Sequence, residues 1–249
     1  MILCLDCGNS RFKWGLAGPH GWVSQGNIPN QEIGTLAVRD WQNLPRPMRV
    51  IGVNVAGEAL RVRVEAQLVR WRLAPEWIVA REEACGVVNR YARPSQLGPD
   101  RWAALIAVRA RVAAELFPSS CVVVNAGTAL TADALDATGV FRGGIILPGM
   151  NMMLQALADN TAALKVPPGR YHDFPINTAD ALYSGVVQAL CGAIEQMRQR
   201  LGGEEARSRV ILSGGAAAEI APHLTAPVEV VDNLVLEGVL ALSESSAKA

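Results

Sequence analysis

The chain has 249 residues, half of them hydrophobic and 18% charged, with 23 basic against 23 acidic side chains. That length and apolarity fit one large domain or two ordinary ones and exclude a disordered chain. A formal net charge of zero excludes broad electrostatic binding of nucleic acid or an anionic membrane, leaving room only for a local basic pocket.

The first residues, MILCLDCGNS, lack a basic leader and reach an acid at position 6, so they are not read as a signal peptide. Later apolar runs are broken by charge or glycine well short of a spanning length. A cytoplasmic protein without a membrane partner is expected. Five scattered cysteines (Cys4, Cys7, Cys85, Cys121 and Cys191) fit reduced thiols. Cys4 and Cys7 straddle a strand end instead of opening a helix, so they read as core thiols and not a redox pair. No His/Cys spacing suggests a structural zinc site.

In chain order, Leu3 to Leu16 (LCLDCGNSRFKWGL) reads as an apolar strand ending on Asp6, a turn at Gly8, Asn9 and Ser10, and a returning strand bearing Lys13. Such a turn is equally a plain hairpin and a phosphate cradle. Glycine allows close backbone approach, Asn and Ser leave polar groups for a phosphate, and an acid acts through Mg²⁺. A third strand is expected at 21–27, a helix at 31–42, a strand at 49–54, a helix at 58–72 with Leu60, Val64, Leu68 and Trp71 on one face, and a strand at 77–80. Residues 81–99 read as loop. A strong helix follows, opening on Pro99, Asp100 and Arg101 and ended by Pro118.

The second half repeats the first. Cys121–Asn125 is a buried strand, Ala126, Gly127 and Thr128 make the turn, and strands at 129–135 and 140–147 follow. Asn125 aligns on Asp6 at an offset of 119 residues (125 − 6). Helices are expected at 149–159 and 178–201, a strand at 209–212, a short helix after Gly214-Gly215, a strand at 228–231 and a closing helix at 233–242. The repeat predicts an α/β fold of two duplicated domains, 1–115 and 116–249, with two phosphate-type turns facing each other across a cleft.

This pattern resembles the sugar kinase, heat-shock ATPase and actin superfamily, with its duplicated ribonuclease-H-like domains, mixed sheets flanked by helices and an ATP cleft between them. Within it, the chain resembles the type III pantothenate kinases over nearly its whole length. The resemblance rests on LDCGNSRFKWGL (5–16), Tyr91, GPDRWAAL (98–105), NAGTALTAD (125–133), GGIILPG (143–149), Asn177-Thr178 and LSGG (212–215). It implies ATP-dependent phosphorylation of pantothenate to 4′-phosphopantothenate, the first step of coenzyme A biosynthesis, by a homodimer.

By that resemblance Asp6, Gly8, Asn9, Ser10 and Lys13 form the first phosphate loop, with Asp6 on the Mg²⁺ side. Lys13 either meets phosphate or only holds Asp6. Gly127 and Thr128 form the second phosphate loop, and Gly214 and Gly215 the adenosine loop, unless LSGG is an ordinary strand-to-helix turn. Tyr91 and Gly98, Pro99, Asp100 and Arg101 contact pantothenate from one subunit, and Thr178 from the other. Asp100 reads as a helix cap on its own and as the general base within the family pattern. Asn125 stands where the family has an Asp that helps hold a monovalent cation, potassium or ammonium. Loss of that charge predicts weaker binding, with Asp133 as the candidate to compensate.

Two rivals remain at this level. One is an accessory transcriptional factor that keeps the cleft without efficient turnover, against which stand the retained acids and the lack of a basic stripe or recognition helix. The other is a kinase for another small hydroxy-acid. A P-loop kinase is disfavoured because no Walker A sequence occurs.

Overall fold

The computed structural model describes residues 1–115, 119–160, 167–202 and 208–245. The chain divides into two compact units, Met1–Ala113 with Asn233–Ala249, and Ala114–Asp232.

In the first unit, strands β1 (Ile2–Cys7), β2 (Arg11–Gly18), β3 (Gly21–Pro29), β4 (Arg49–Asn54) and β5 (Glu76–Trp77) lie in the order β3-β2-β1-β4-β5. β1 runs antiparallel to β2 and parallel to β4. The alternation in ILCLDC sorts this sheet's two faces. Leu3, Leu5 and Cys7 pair across the ladder with Leu16, Trp14 and Phe12. Together they build a core with Leu60, Val64 and Leu68 of helix α1 (Glu58–Leu68). Trp41 centres that core, with ring centroids 6.1 Å from Phe12, 6.2 Å from Trp14 and 5.4 Å from Trp71. The alternate residues Cys4 and Asp6 point to the opposite face, and Lys13 sits directly across from Asp6.

A short hairpin, β6 (Glu83–Ala84) and β7 (Val87–Asn89), precedes helix α2 (Pro99–Ala113). In the second unit come β8 (Cys121–Ala126), β9 (Ala129–Leu135) and β10 (Val140–Pro148), then helices α3 (Met150–Asn160) and α4 (Thr178–Gly202). β11 (Arg209–Ser213), α5 (Ala217–Ile220) and β12 (Val228–Val230) complete it. Its strands lie in the order β12-β11-β8-β9-β10, with β8 antiparallel to β9 and parallel to β11. That repeats the strand order and directions of the first unit. Val122, Val124 and Ala126 of β8, paired with Ala134, Ala132 and Leu130, pack on Val186, Val187, Leu190 and Ile194 of α4. Asn125, Thr131 and Asp133 occupy the other face. Asp6 and Asn125 are each the penultimate residue of their first strand.

The closing helix α6 (Leu234–Ser245) belongs with the first unit, not with the second half as the sequence division at 115/116 had it. It packs on α2, where Gly238 is held so close that a Cβ would lie 1.8 Å from the Ala103 carbonyl oxygen. Arg111 of α2 bonds Glu237 at 2.8 Å on the rim of this contact. Helix propensity would favour alanine at Gly238 by only about 1 kcal/mol, far less than such an overlap. Gly238→Ala is therefore expected to destabilise the protein by about 2 kcal/mol or more, as forced overpacking does, readable by urea unfolding.

Three local expectations need correction. Residues 31–42 are not an α-helix but a 3-10 turn, Asn30–Thr35, followed by irregular turns. Gly34 and Thr35 weaken helix there, and the Arg70 guanidinium takes the carbonyls of Ala37, Trp41 and Gln42, which replaces helical bonding. The 77–80 strand shrinks to Glu76–Trp77. The 81–99 loop contains the β6–β7 hairpin, turned through Cys85 and Gly86 at φ +50° and +74°. A left-handed cysteine carries no sequence signal, so only Gly86 hinted at it. The expected helix end at Pro118 lies outside the described residues, and α2 as described closes at Ala113. Cys4 and Cys7 are buried free thiols on opposite faces of β1, and burial pushes Cys4 up to about 12. They are core thiols.

Candidate active site

The first site cluster lies wholly in the first unit. Asp6 is the penultimate residue of β1, on the face opposite the Leu3, Leu5 and Cys7 core, just before the chain turns at Gly8. It is 7% exposed. Its carboxyl is raised to about 6: burial pushes it up, the ammonium of Lys13 across the ladder pulls it down, and the carboxylate of Asp100 adds a smaller push upward. Asp100, 94 residues away in sequence (100 − 6), thus acts electrostatically on Asp6. Two like charges in a partly dry site raise each other's protonation.

The turn behind Asp6 is fastened by Asn30. Its Nδ2 donates to the carbonyls of Gly8 and Asn9, both at 2.9 Å, and its backbone N–H donates to Ser10 at 3.3 Å. One side chain thus holds the carbonyls of the turn from behind. Sequence reasoning missed Asn30, because an Asn at the end of a strand looks like any turn residue. Only the tertiary contact over 22 residues reveals its target.

Asp100 sits in the first turn of α2, where its Oδ1 accepts from the backbone N–H of Arg101 at 2.8 Å. The Gly98 carbonyl accepts from Trp102 at 2.9 Å to open the helix. Burial raises the carboxyl of Asp100, while the Arg101 amide and guanidinium hold it down. Arg101 is 5% exposed, and its Nη1 donates to the Tyr91 hydroxyl at 3.2 Å. Its guanidinium carbon also lies 5.8 Å from the centre of the Tyr91 ring. Gly98 leaves space for the acid, since a Cβ there would lie 2.7 Å from Asp100 Oδ1. Asp6, Lys13, Tyr91, Gly98, Pro99, Asp100 and Arg101 are therefore all carried by one unit, on β1, β2, the loop after β7 and the start of α2.

The second cluster lies in the second unit. The β8–β9 turn presents Gly127 and Thr128, both exposed. Gly149 backs this turn so tightly that a Cβ there would lie 2.2 Å from the Gly127 carbonyl oxygen and 2.6 Å from that of Thr128. Gly149 N–H also donates to Thr128 at 2.9 Å. Gly149, within the GGIILPG stretch, lets α3 begin against the turn. Gly214, at φ +106°, brings the LSGG loop onto the same strand end: a Cβ would lie 2.5 Å from the Ala126 carbonyl oxygen, which accepts from Ala216 at 3.1 Å. Gly215 beside it is exposed. Asn125 pairs with Ser213 on one side and Thr131 on the other. Asp133, buried at 1% exposure, is one step further along the face that carries Asn125 and faces Val123 across the ladder.

Thr178 stands at the exposed start of α4. Asn177 caps that helix, its Oδ1 accepting from Asp180 N–H at 2.9 Å while Asp180 Oδ1 accepts from Arg170 N–H at 2.7 Å. Among the described residues no group of three or more His, Cys, Asp or Glu side chains could hold a metal ion, and no helix is long and apolar enough to cross a membrane.

The family model described as type III pantothenate kinase matches residues 2–200. A type III pantothenate kinase from Leptothrix cholodnii is 44% identical over 260 residues, covering 100% of this chain and 98% of its own. One from Aromatoleum aromaticum is 45% identical over 249 residues, covering 100% of both chains. Among solved structures, a Campylobacter jejuni protein assigned to the Baf family of transcriptional activators superposes with a TM-score of 0.66 at 19% identity, over 99% of this chain and 100% of its own. A Sinorhizobium meliloti protein assigned as a 2-dehydro-3-deoxygalactonokinase gives 0.58 at 14% identity, over 100% and 99%. At such identities these structures share the fold alone: α/β, with mixed sheets flanked by helices.

Proposed function

The chain belongs to the type III pantothenate kinase family and phosphorylates pantothenate with ATP, a step of coenzyme A biosynthesis; from that premise we propose how its residues divide the reaction. Asp100 is the general base. It orients the primary hydroxyl of pantothenate and accepts its proton as the γ-phosphoryl group is transferred in line. The observation that carries this is a half-buried carboxylate at a helix start, held by the Arg101 amide, raised by desolvation and near enough to Asp6 to push that acid up. Arg101 bonds the pantothenate carboxylate, a role suited to a planar guanidinium held in place by Tyr91. Gly98 and Pro99 shape the same wall, and Thr178 contributes from a second subunit.

Gly8, Asn9 and Ser10, with Gly127 and Thr128, donate to the phosphates of ATP, and Gly214 and Gly215 lie against adenosine. Lys13 faces Asp6 from the next strand, which supports both a phosphate contact and a hold on the acid. Asp6 fits Mg²⁺ through the metal's water shell, being an acid at the turn with a cation opposite. Bound Mg²⁺ neutralises phosphate charge. Asn125 offers a neutral oxygen, with the Thr131 position across from it, so a potassium or ammonium ion there is held by neutral donors and weakly. Asp133 lies one pair along on the same face.

The recurrence of one strand order in both units supports two ribonuclease-H-like domains that part near 115/116, the second ending before α6, which returns to the first. A homodimer is supported by the exposed Phe174 and Ile176, at 91% and 97%. It is supported also by the small exposed face of α4 at Ala181, Gly185, Ala189 and Gly192, since small residues let helices approach closely.

The deciding experiment incubates the purified protein with ATP, Mg²⁺ and pantothenate, with and without potassium, and identifies the product by mass spectrometry. A mass gain of one phosphoryl on pantothenate is expected, with potassium activation that is still rising at high potassium. Activation that saturates at low potassium would overturn the weak-cation assignment of Asn125, and an unphosphorylated product the assignment of the site.

A further inference from the structure

We infer that Asn89 is a positioning residue for the acceptor substrate, its buried amide setting the loop that carries Tyr91 and so the guanidinium of Arg101. The inference rests on the proposed reading of Tyr91 and Gly98–Arg101 as the pantothenate site. Asn89 closes β7 and is 3% exposed. Its Nδ2 donates to the carbonyls of Arg81 at 3.2 Å and Pro94 at 3.1 Å. Its Oδ1 accepts from the Tyr91 backbone N–H at 3.1 Å, and its own N–H donates to Glu82 at 2.8 Å.

One side chain therefore ties the strand entering the hairpin to the Tyr91 backbone and to the turn at Pro94. The segment from Arg90 to Leu97 has no strand ladder of its own, only the short 3-10 turn Pro94–Gln96. Backbone polar groups near a buried position need partners, and here Asn89 supplies them. From Tyr91 the chain of contact continues to Arg101 at 3.2 Å and 5.8 Å, as described above. Asn89 touches none of the groups assigned to substrate through its own side chain except by way of the Tyr91 amide.

The residue type is demanding. Two donations to carbonyls and one acceptance from an amide require both ends of a carboxamide at this length. Aspartate keeps the bond from Tyr91 N–H but turns an anionic oxygen toward two carbonyls. Alanine leaves all three partners without it.

The test measures kcat and both KM values for Asn89→Ala and Asn89→Asp in the full-length protein, with Tyr91→Ala, Arg101→Ala and the Asn89→Ala/Tyr91→Ala double variant alongside. The expected result is a KM for pantothenate raised about ten-fold or more, since removing a partner from buried polar groups loses at least that. KM for ATP should stay within about two-fold, because the ATP contacts lie elsewhere. The double variant should be no worse than Tyr91→Ala alone, because Asn89 acts through Tyr91. An unchanged KM for pantothenate, an equal rise in both KM values, or additive losses would overturn the inference. If Asn89→Ala fails to fold, Asn89→Asp, which keeps the volume and one bond, carries the same measurements. Should Tyr91→Ala and Arg101→Ala leave KM for pantothenate unchanged, the site reading itself fails. If they raise it and the Asn89 variants do not, only the role of Asn89 fails.

Discussion

Replacing Asp100 by asparagine is expected to lower kcat by about 10²- to 10⁴-fold, the range for loss of a positioned base. The fold should be untouched. The asparagine oxygen can still accept from Arg101 N–H, as Oδ1 does at 2.8 Å, so the start of α2 keeps its hydrogen bond. Volume is preserved, and KM for both substrates should move little. Steady-state kinetics and a thermal melt on the same preparation decide this. A rate within about three-fold of the unaltered protein would remove Asp100 from the proton transfer. A secondary effect follows from the coupling of the two acids. The Asp100 charge pushes Asp6 up, so in the Asp100→Asn protein the titration of Asp6 should move down, observable by NMR of the side-chain carboxyl.

Replacing Asp6 by asparagine should have opposite effects on stability and on activity. The carboxyl of Asp6 ionises at about 6 in the folded protein against 3.8 as its ordinary value. Between those values the folded state binds more protons than the unfolded one, so stability falls as pH rises through that window and is level above it. At neutral pH the buried charge costs the fold on the order of 3 kcal/mol. Asn carries no charge to desolvate, so Asp6→Asn should raise the melting temperature at pH 7.5 and leave it nearly unchanged at pH 4. A lower melting temperature at pH 7.5 would contradict the balance described. Activity should fall, with kcat/KM for ATP down about ten- to hundred-fold, as when a group acting on a metal through its water shell is lost. In the unaltered protein the same ionisation predicts an acid limb in kcat/KM for ATP near pH 6, displaced upward from the ordinary carboxylate range. Protonation of Asp6 and of the likewise raised Asp100 both act in that direction.

Much of the fold was legible because its signals are local. Alternation in ILCLDC and CVVVNA, a glycine after each polar strand end, and proline with an acid before WAALIAV set strands, turns and helix within a few residues of where they stand. The match of Asp6 to Asn125 was legible for the same reason, since both halves end the first strand on a polar residue at the same distance from a glycine. What failed were elements whose bonding comes from far along the chain. The 31–42 segment had helix-like spacing, yet Arg70 some 30 residues later takes its carbonyls. The Cys85-Gly86 hairpin had only one glycine to announce it. No periodicity could assign α6 to the first unit, because that depends on Gly238 fitting against Ala103, 135 residues away (238 − 103).

The same division runs through the site. By itself the sequence supplied residue types in order, Asp6, Lys13, Asp100, Arg101 and the glycine turns, whose family resemblance sufficed to identify the reaction. Only the tertiary structure decided their electrical state and their support. Asp6 is raised because β1 is buried and α2 brings Asp100 near. Asn30 and Asn89 matter because each amide reaches carbonyls that are remote or looped back in sequence. Residue type is written in the chain, whereas dielectric, proximity and hydrogen-bond partnership exist only once the chain has packed.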